Sequence, residues 1–261
     1  MMLGHMSKIS ICCSLLLILQ LAAQIFCPLA CASARSPEIV YWSWNSADDL
    51  SSVKSTVAYL LARVAVNGDK IDTVPRLERL KLSREARRIA VVRIEVEHLP
   101  GKKDEEVVAK KLSAIVSAML ARQPRLSALQ IDFDARESER PFYSKFLHEL
   151  RTQTPGLPLS ITALASWCIA DRWLAGLPFD EVVPMCFSLG SGRAQALGYF
   201  KEHLPFDYAG SALGLCIDDR EPIKLFAERL KSYKRIYLFS IHGWNAAKTG
   251  MANSLIRGEI D

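Results

Sequence analysis

Several signatures that would settle a chemistry are missing from this chain. It has no HExxH helix, no GxSxG elbow, no P-loop and no zinc-finger spacing. No glycine-rich loop follows the first apolar run of the region after residue 34, where the chain reads Trp42-Ser43-Trp44-Asn45. That argues against a doubly wound nucleotide-binding sheet. Ser188-Leu189-Gly190-Ser191-Gly192 is a flexible loop and alone a weak phosphate signal. Neither sign of charge dominates: 33 Lys+Arg stand against 28 Asp+Glu, too mild a balance to imply a nucleic-acid partner. His98 and His242 are the histidines near strand ends, too few to define a metal site by themselves, though Asp132 or Asp134 could join one; no cofactor is implied.

Cysteine is also scarce once the first 34 residues are set apart. Cys12, Cys13, Cys27 and Cys31 lie there, leaving Cys168, Cys186 and Cys216 in the remaining 227 residues. None forms a CxxC, so small core residues, or one disulfide plus a free thiol, are expected. The stretch 9–34 carries no charge at all. Lys8, the apolar run 9–19 and the ending Ala32-Ser33-Ala34 match a secretory signal peptide over 1–34. An uncleaved N-terminal anchor is the alternative, since about 20 apolar residues span a bilayer; lipidation at Cys31 is another. The expected location is secreted or periplasmic, with membrane contact only through this segment. Residues 35–261 then form one domain, since neither an internal repeat nor a low-complexity linker divides them.

Eight short apolar runs recur there: 39–44, 59–66, 89–97, 128–134, 157–166, 181–187, 211–218 and 235–241. Helical periodicity fills several gaps, most clearly 104–122, where Val107, Val108, Lys111, Ile115, Val116, Met119 and Leu120 make a stripe. Further helices are expected over 142–152 after Pro141, over 223–233 after Pro222, and over 194–203 and 246–256. The stretches 46–56 and 71–88 are not clearly helical, the second because of Pro75. Strands alternating with helices imply parallel strands joined by crossovers, and eight units in this length fit an α/β (β/α)8 barrel.

Helices cover the outside of such a barrel, so the apolar face of each strand should point outward. Leu129, Ile131 and Phe133 then face out, and Gln130, Asp132 and Asp134 face the lumen. Likewise Val92, Ile94 and Val96 oppose Arg93, Glu95 and Glu97. Arg63, and Asp218 beside Gly214 and Cys216, are placed inside by the same rule. Buried charges are costly unless paired. One reading is therefore an ion network in which Arg63 and Arg93 neutralise Glu95 and Asp132. The other gives Asp134, last on its strand, a place where barrel enzymes carry catalytic groups.

Leu129-Gln130-Ile131-Asp132-Phe133-Asp134 resembles the fourth-strand signature of chitinase-type glycoside hydrolase barrels. Over residues 38–244 the chain more closely resembles the bacterial family DUF3142. The carrying segments are Val92-Arg93-Ile94-Glu95, the Gln130–Asp134 run, Leu159-Ser160-Ile161-Thr162-Ala163-Leu164, Glu181-Val182-Val183-Pro184-Met185 and Ile236-Tyr237-Leu238-Phe239-Ser240. This resemblance implies a barrel related to glycosidases and no established activity. Chitinases carry a glutamate two residues beyond the last aspartate, which protonates the leaving oxygen. Here that position is Arg136. Either Glu137 moves in, or Asp134 is the acid, or that mechanism is absent.

Glycosidases commonly hold two carboxyls about 5–5.5 Å apart when retaining and about 6.5–9.5 Å apart when inverting. Alternate residues of a strand lie roughly 6.5–7 Å apart. Asp134 is the expected proton donor, with Glu97, Asp132 or Asp218 as its second carboxylate, and Glu95 in the same cluster. Trp44, Trp167 and Trp244, at strand ends, offer indole faces for sugars. Asn45, Arg93, Asp218 and His242 complete the expected substrate contacts. The expectation is an exported glycosidase-like barrel acting on a polysaccharide; a non-catalytic carbohydrate-binding or envelope structural protein is the alternative.

Overall fold

The computed structural model describes residues 36–258, apart from 46, 124, 170–172 and 206–211. Strands are β1 (Glu38–Ser43), β2 (Asp49–Leu50), β3 (Thr56–Asn67), β4 (Lys70–Pro75), β5 (Lys81–Leu82), β6 (Arg87–His98), β7 (Leu126–Asp132), β8 (Leu159–Leu164), β9 (Glu181–Met185), β10 (Ala212–Cys216) and β11 (Arg235–Phe239). Helices are α1 (Glu105–Ala121), α2 (Arg140–Gln153), α3 (Ala165–Ile169), α4 (Arg193–Glu202), α5 (Arg220–Phe226) and α6 (Ala246–Arg257). Eight strands run parallel in the order β1-β11-β10-β9-β8-β7-β6-β3, and β1 also pairs with β3, which closes the barrel. Each of the eight expected runs is one of these strands. The leader expected at 1–34 lies outside the described residues.

The first two crossovers depart from the alternating pattern. After β1 the chain forms the short β2, which pairs with β5, and after β3 it turns back as the antiparallel β4. The turn is Asn67-Gly68-Asp69-Lys70, with Gly68 at φ 63°. A positive φ at the first central position only is the type II′ hairpin pattern. Pro75 then ends β4 on an exposed edge, where its missing N–H costs nothing.

Outward residues of the strands meet the helices. The α1 face buries Val108, Ala109, Leu112, Val116 and Leu120, while Val107, expected in this stripe, is exposed. Spacing of four residues fixes that face. On α2, which begins at Arg140-Pro141, Phe142, Tyr143, Phe146, Leu147 and Leu150 are buried. Inside the barrel, Val40, Trp42, Ala58, Ile89, Val91, Ala128, Val183, Ala212 and Tyr237 pack together. Below them, Arg235 bridges Glu38 and Glu181 at 3.0 and 2.8 Å, and the Tyr237 hydroxyl donates to Glu181. Cys168, Cys186 and Cys216 are all free thiols, so no disulfide joins them.

Arg63 keeps the lumen-side face that alternation gave it, but it lies beyond the barrel. A bulge between Leu60 and Ala62 shifts the register, so Arg63 pairs laterally with Arg93 and shares its lumen-side face. But β3 and β6 run twelve residues each and overshoot the barrel, so Arg63 is exposed. It forms no ion pair with Glu95 or Asp132.

Candidate functional site

Alternation along β7 builds the base of the site. Ala128, Gln130 and Asp132 face the lumen, while Leu129, Ile131 and Phe133 pack in the outer layer. Gln130 is fully buried and satisfied, accepting from Trp42 Nε1 at 2.6 Å and donating to Ser160 Oγ at 3.1 Å. One layer higher, Arg93 pairs in register with Asp132, and the Ile131–Ile161 pair sets Asp132 beside Thr162. The side chains join along this row. Arg93 Nη1 lies 2.6 Å from Asp132 Oδ2, and Thr162 Oγ1 donates to Asp132 Oδ1 at 2.7 Å.

The same guanidinium holds two further carboxylates. Its Nε lies 3.0 Å from Glu95 Oε1 and its Nη2 lies 3.2 Å from Asp134 Oδ2. Asp132 is nearly inaccessible, whereas the Asp134 and Glu95 side chains are 37% and 47% exposed. Burial, and then the charge of Asp134, pushes the Asp132 carboxyl above the ordinary carboxylate range, against the pull of Arg93 and Thr162. Burial works against the Arg93 charge too, but Asp132 and Asp134 outweigh it and hold the guanidinium protonated.

Above this row opens a cleft of about 450 Å³ at the C-terminal ends of the strands. Trp42, Trp44, Met185, Phe187 and Phe239 form one wall. Leu164, Ser166, Ile169, Leu189 and Gln195 also line the cleft, and Arg93, Asp132, Asp134 and Thr162 lie at the base. Phe187 stacks on Phe239 at 5.5 Å, and Trp44 meets Phe239 edge-on at 6.3 Å. The Arg93 guanidinium sits 5.7 Å from the centre of the Trp44 ring. Cation–π contact of this kind fixes both partners.

Four of the expected residues therefore meet in the cleft: Asp132, Asp134, Arg93 and Trp44, with Glu95 attached through Arg93. The others stand elsewhere. Glu97 is on the overshooting end of β6, exposed and bonded to Asn67 Nδ2. Asn45 is taken up in a loop, its carbonyl receiving Arg76 Nη2 at 2.6 Å. Asp218 is held by Lys248 Nζ, Ser240 Oγ and the Ile241 amide; against its partial burial, these hold its carboxyl below the usual range. His242 is exposed beyond β11 and outside the cleft. Trp167 and Trp244 are core rather than rim. Trp167 packs against Trp173 at 4.9 Å, and Trp244 donates to the Trp42 carbonyl at 2.7 Å. Glu137 opens a one-turn 3-10 helix on the surface and does not line the cleft.

Trp42, Thr162, Met185, Phe187 and Phe239 were not among the expected contacts. Period-two counting finds them: Trp42 shares a face with Val40, Thr162 with Ser160, Met185 and Phe187 with Val183, and Phe239 with Tyr237.

A closed parallel barrel with its cleft at the C-terminal mouth defines a TIM-barrel-like protein. Residues 85–210 match the family model DUF3142, described as a domain of unknown function. That stretch holds Arg93, Asp132, Asp134 and Thr162. No curated protein matches the chain. Among solved structures, the fold is similar to one described as "putative Chitinase A from Streptomyces coelicolor", with a TM-score of 0.55 and 11% identity, covering 85% of this chain and 98% of that one.

Proposed function

We propose that this is an exported, glycosidase-like protein that takes a saccharide into the mouth cleft and hydrolyses it with the Asp132–Asp134 pair. The observation that carries the reading is an aromatic-walled cleft with two carboxyls at its base, joined by one guanidinium. Indole and phenyl faces suit the apolar faces of sugar rings. Asp134, the more accessible carboxyl, meets the glycosidic bond. Asp132 lies beneath it, and Arg93 binds both. A pair of carboxyls in different environments is the usual arrangement for acid and base roles. The fold similarity to a chitinase-described barrel supports this substrate class.

One observation favours a second reading, carbohydrate binding without turnover. Arg136 stands where chitinases carry their acid, and Asp132, Asp134 and Glu95 are all engaged by Arg93. A panel of oligosaccharides separates the two, with wild type, Asp132→Asn and Asp134→Asn assayed in parallel for reducing-end release and for tryptophan fluorescence on binding. Hydrolysis that falls at least about a hundredfold in both variants, the scale of a lost acid–base group, is the expected result. Binding without any release gives the second reading, and no binding across the panel overturns both.

A further inference from the structure

Charge is unevenly shared around the cleft. Asp132, Asp134 and Glu95 converge on Arg93 alone. Arg63 is the next cation along the same row, in register with Arg93 and exposed. Counting it, three carboxylates still face two guanidiniums. Asp134 has the 3.2 Å contact through Oδ2, and its other oxygen makes no hydrogen bond among the described residues. Glu95 is likewise open on the solvent side. Arg136, further along the chain, is already drawn to Glu139.

The aromatic wall beside the cluster has its own preference. Aromatic ring faces carry negative potential and attract cations, most of all indole. Trp44 already carries the Arg93 guanidinium over its ring. Trp42, Phe187 and Phe239 extend the same wall into the cleft. A neutral sugar would stack there but leave the excess carboxylate charge unanswered. A sugar bearing an ammonium satisfies both the wall and the cluster. We propose, building on the carbohydrate reading above, that the cleft selects a saccharide with free amino groups, a de-N-acetylated amino sugar. Its ammonium lies at the exposed edge of the carboxylate cluster, by Asp134 and Glu95.

The full chain is titrated calorimetrically with three β-1,4 trimers: glucosamine, N-acetylglucosamine and glucose. At about pH 6 the amines are charged, as ordinary amines are. The glucosamine trimer should bind roughly tenfold more tightly than the other two, the scale of one charge-assisted contact. Raising the salt should shrink that advantage. Glu95→Gln, an exposed change that leaves folding testable by melting temperature, should bring the ratio towards one, and Asp134→Asn should do so further. Equal binding of all three trimers overturns this selectivity and leaves the carbohydrate reading standing. Binding of none removes both.

Discussion

Replacing Arg93 by methionine keeps an unbranched apolar stem and deletes the guanidinium that three carboxylates share. The loss at Glu95 and Asp134 is small, within about 1 kcal/mol each, because both are well exposed. Asp132 is different: its side chain is 2% exposed, and Thr162 would be its remaining partner among the described residues. Removing one member of a buried ion pair costs about 3–5 kcal/mol. Arg93 is itself 27% exposed, which places the expected cost at the lower end, about 3 kcal/mol. With a urea slope of about 3 kcal/mol/M for a domain of this size, the midpoint should fall by about 1 M. Acid supplies the sign. The folded Asp132 carboxyl lies above its ordinary range, through burial first and the Asp134 charge second. Its contribution is therefore full below the unfolded carboxylate pKa and is lost as pH rises through the folded value. Without Arg93 that folded value climbs further, so the variant's deficit is greatest near neutrality and fades in acid. Urea midpoints at pH 7 and pH 4.5 check this. An equal deficit at both, or one below about 0.5 kcal/mol at pH 7, would refute the reasoning, since that is the scale of an ordinary surface change. Adding Asp132→Asn should recover most of the loss, because the amide keeps a neutral partner for Thr162.

Gly214→Ala should lower the melting temperature by several degrees. The added Cβ would lie 2.9 Å from Trp42 Cη2 and 3.0 Å from the Pro184 carbonyl oxygen, and overpacking of this kind costs about 1–3 kcal/mol. Tyr143→Phe should leave stability unchanged or raise it, because the Tyr143 hydroxyl is buried without a hydrogen-bond partner among the described residues. A loss above about 1 kcal/mol in urea would mean that the hydroxyl is satisfied in solution. Trp42→Phe deprives the buried Gln130 carbonyl of its 2.6 Å donor and should cost about 2–3 kcal/mol by urea unfolding. A cost near zero would show that Gln130 finds another partner.

The strands were legible because each has one face under helices, so their alternation is sharp. Arg93 and Asp132 follow from that alternation alone, on two neighbouring strands whose register then brings them together. Arg63 shares the lumen-side face, but alternation gives a face and not a height. β3 and β6 run twelve residues each and overshoot the barrel, so Arg63 ends exposed above the ion cluster it was expected to join. The rim tryptophans failed for a related reason. Trp167 follows β8 by three residues, but α3 begins at Ala165 and turns the side chain into the helix layer. Trp244 lies past Gly243, at φ 75°, where the chain folds back so that its amide meets Asp48. Strand-end position alone does not say which way the following turn goes. The hairpin was readable in principle, since Asn67-Gly68 is a strong turn signal. Pro75 argues against a helix but does not by itself distinguish an edge strand from a loop.

The missing chitinase acid has a physical side that the substitution alone does not show. Past Asp132 the chain leaves the mouth within a few residues. Phe133 and Ala135 are buried in the outer layer, and the Ala135 amide bonds back to the Phe133 carbonyl in a tight turn. Arg136 then lies extended at the surface, 77% exposed, with its amide donating to Glu139 Oε2 at 2.7 Å. That carboxylate caps the 3-10 turn, so the segment is anchored on the outside of the barrel. A glutamate at position 136 in this backbone would point at solvent rather than at the cleft. On β7 and its exit, the carboxyls that line the cleft, Asp132 and Asp134, both precede Ala135. Arg136 therefore leaves the base of the cleft untouched, and Arg93, which touches both carboxyls, is the residue that joins them.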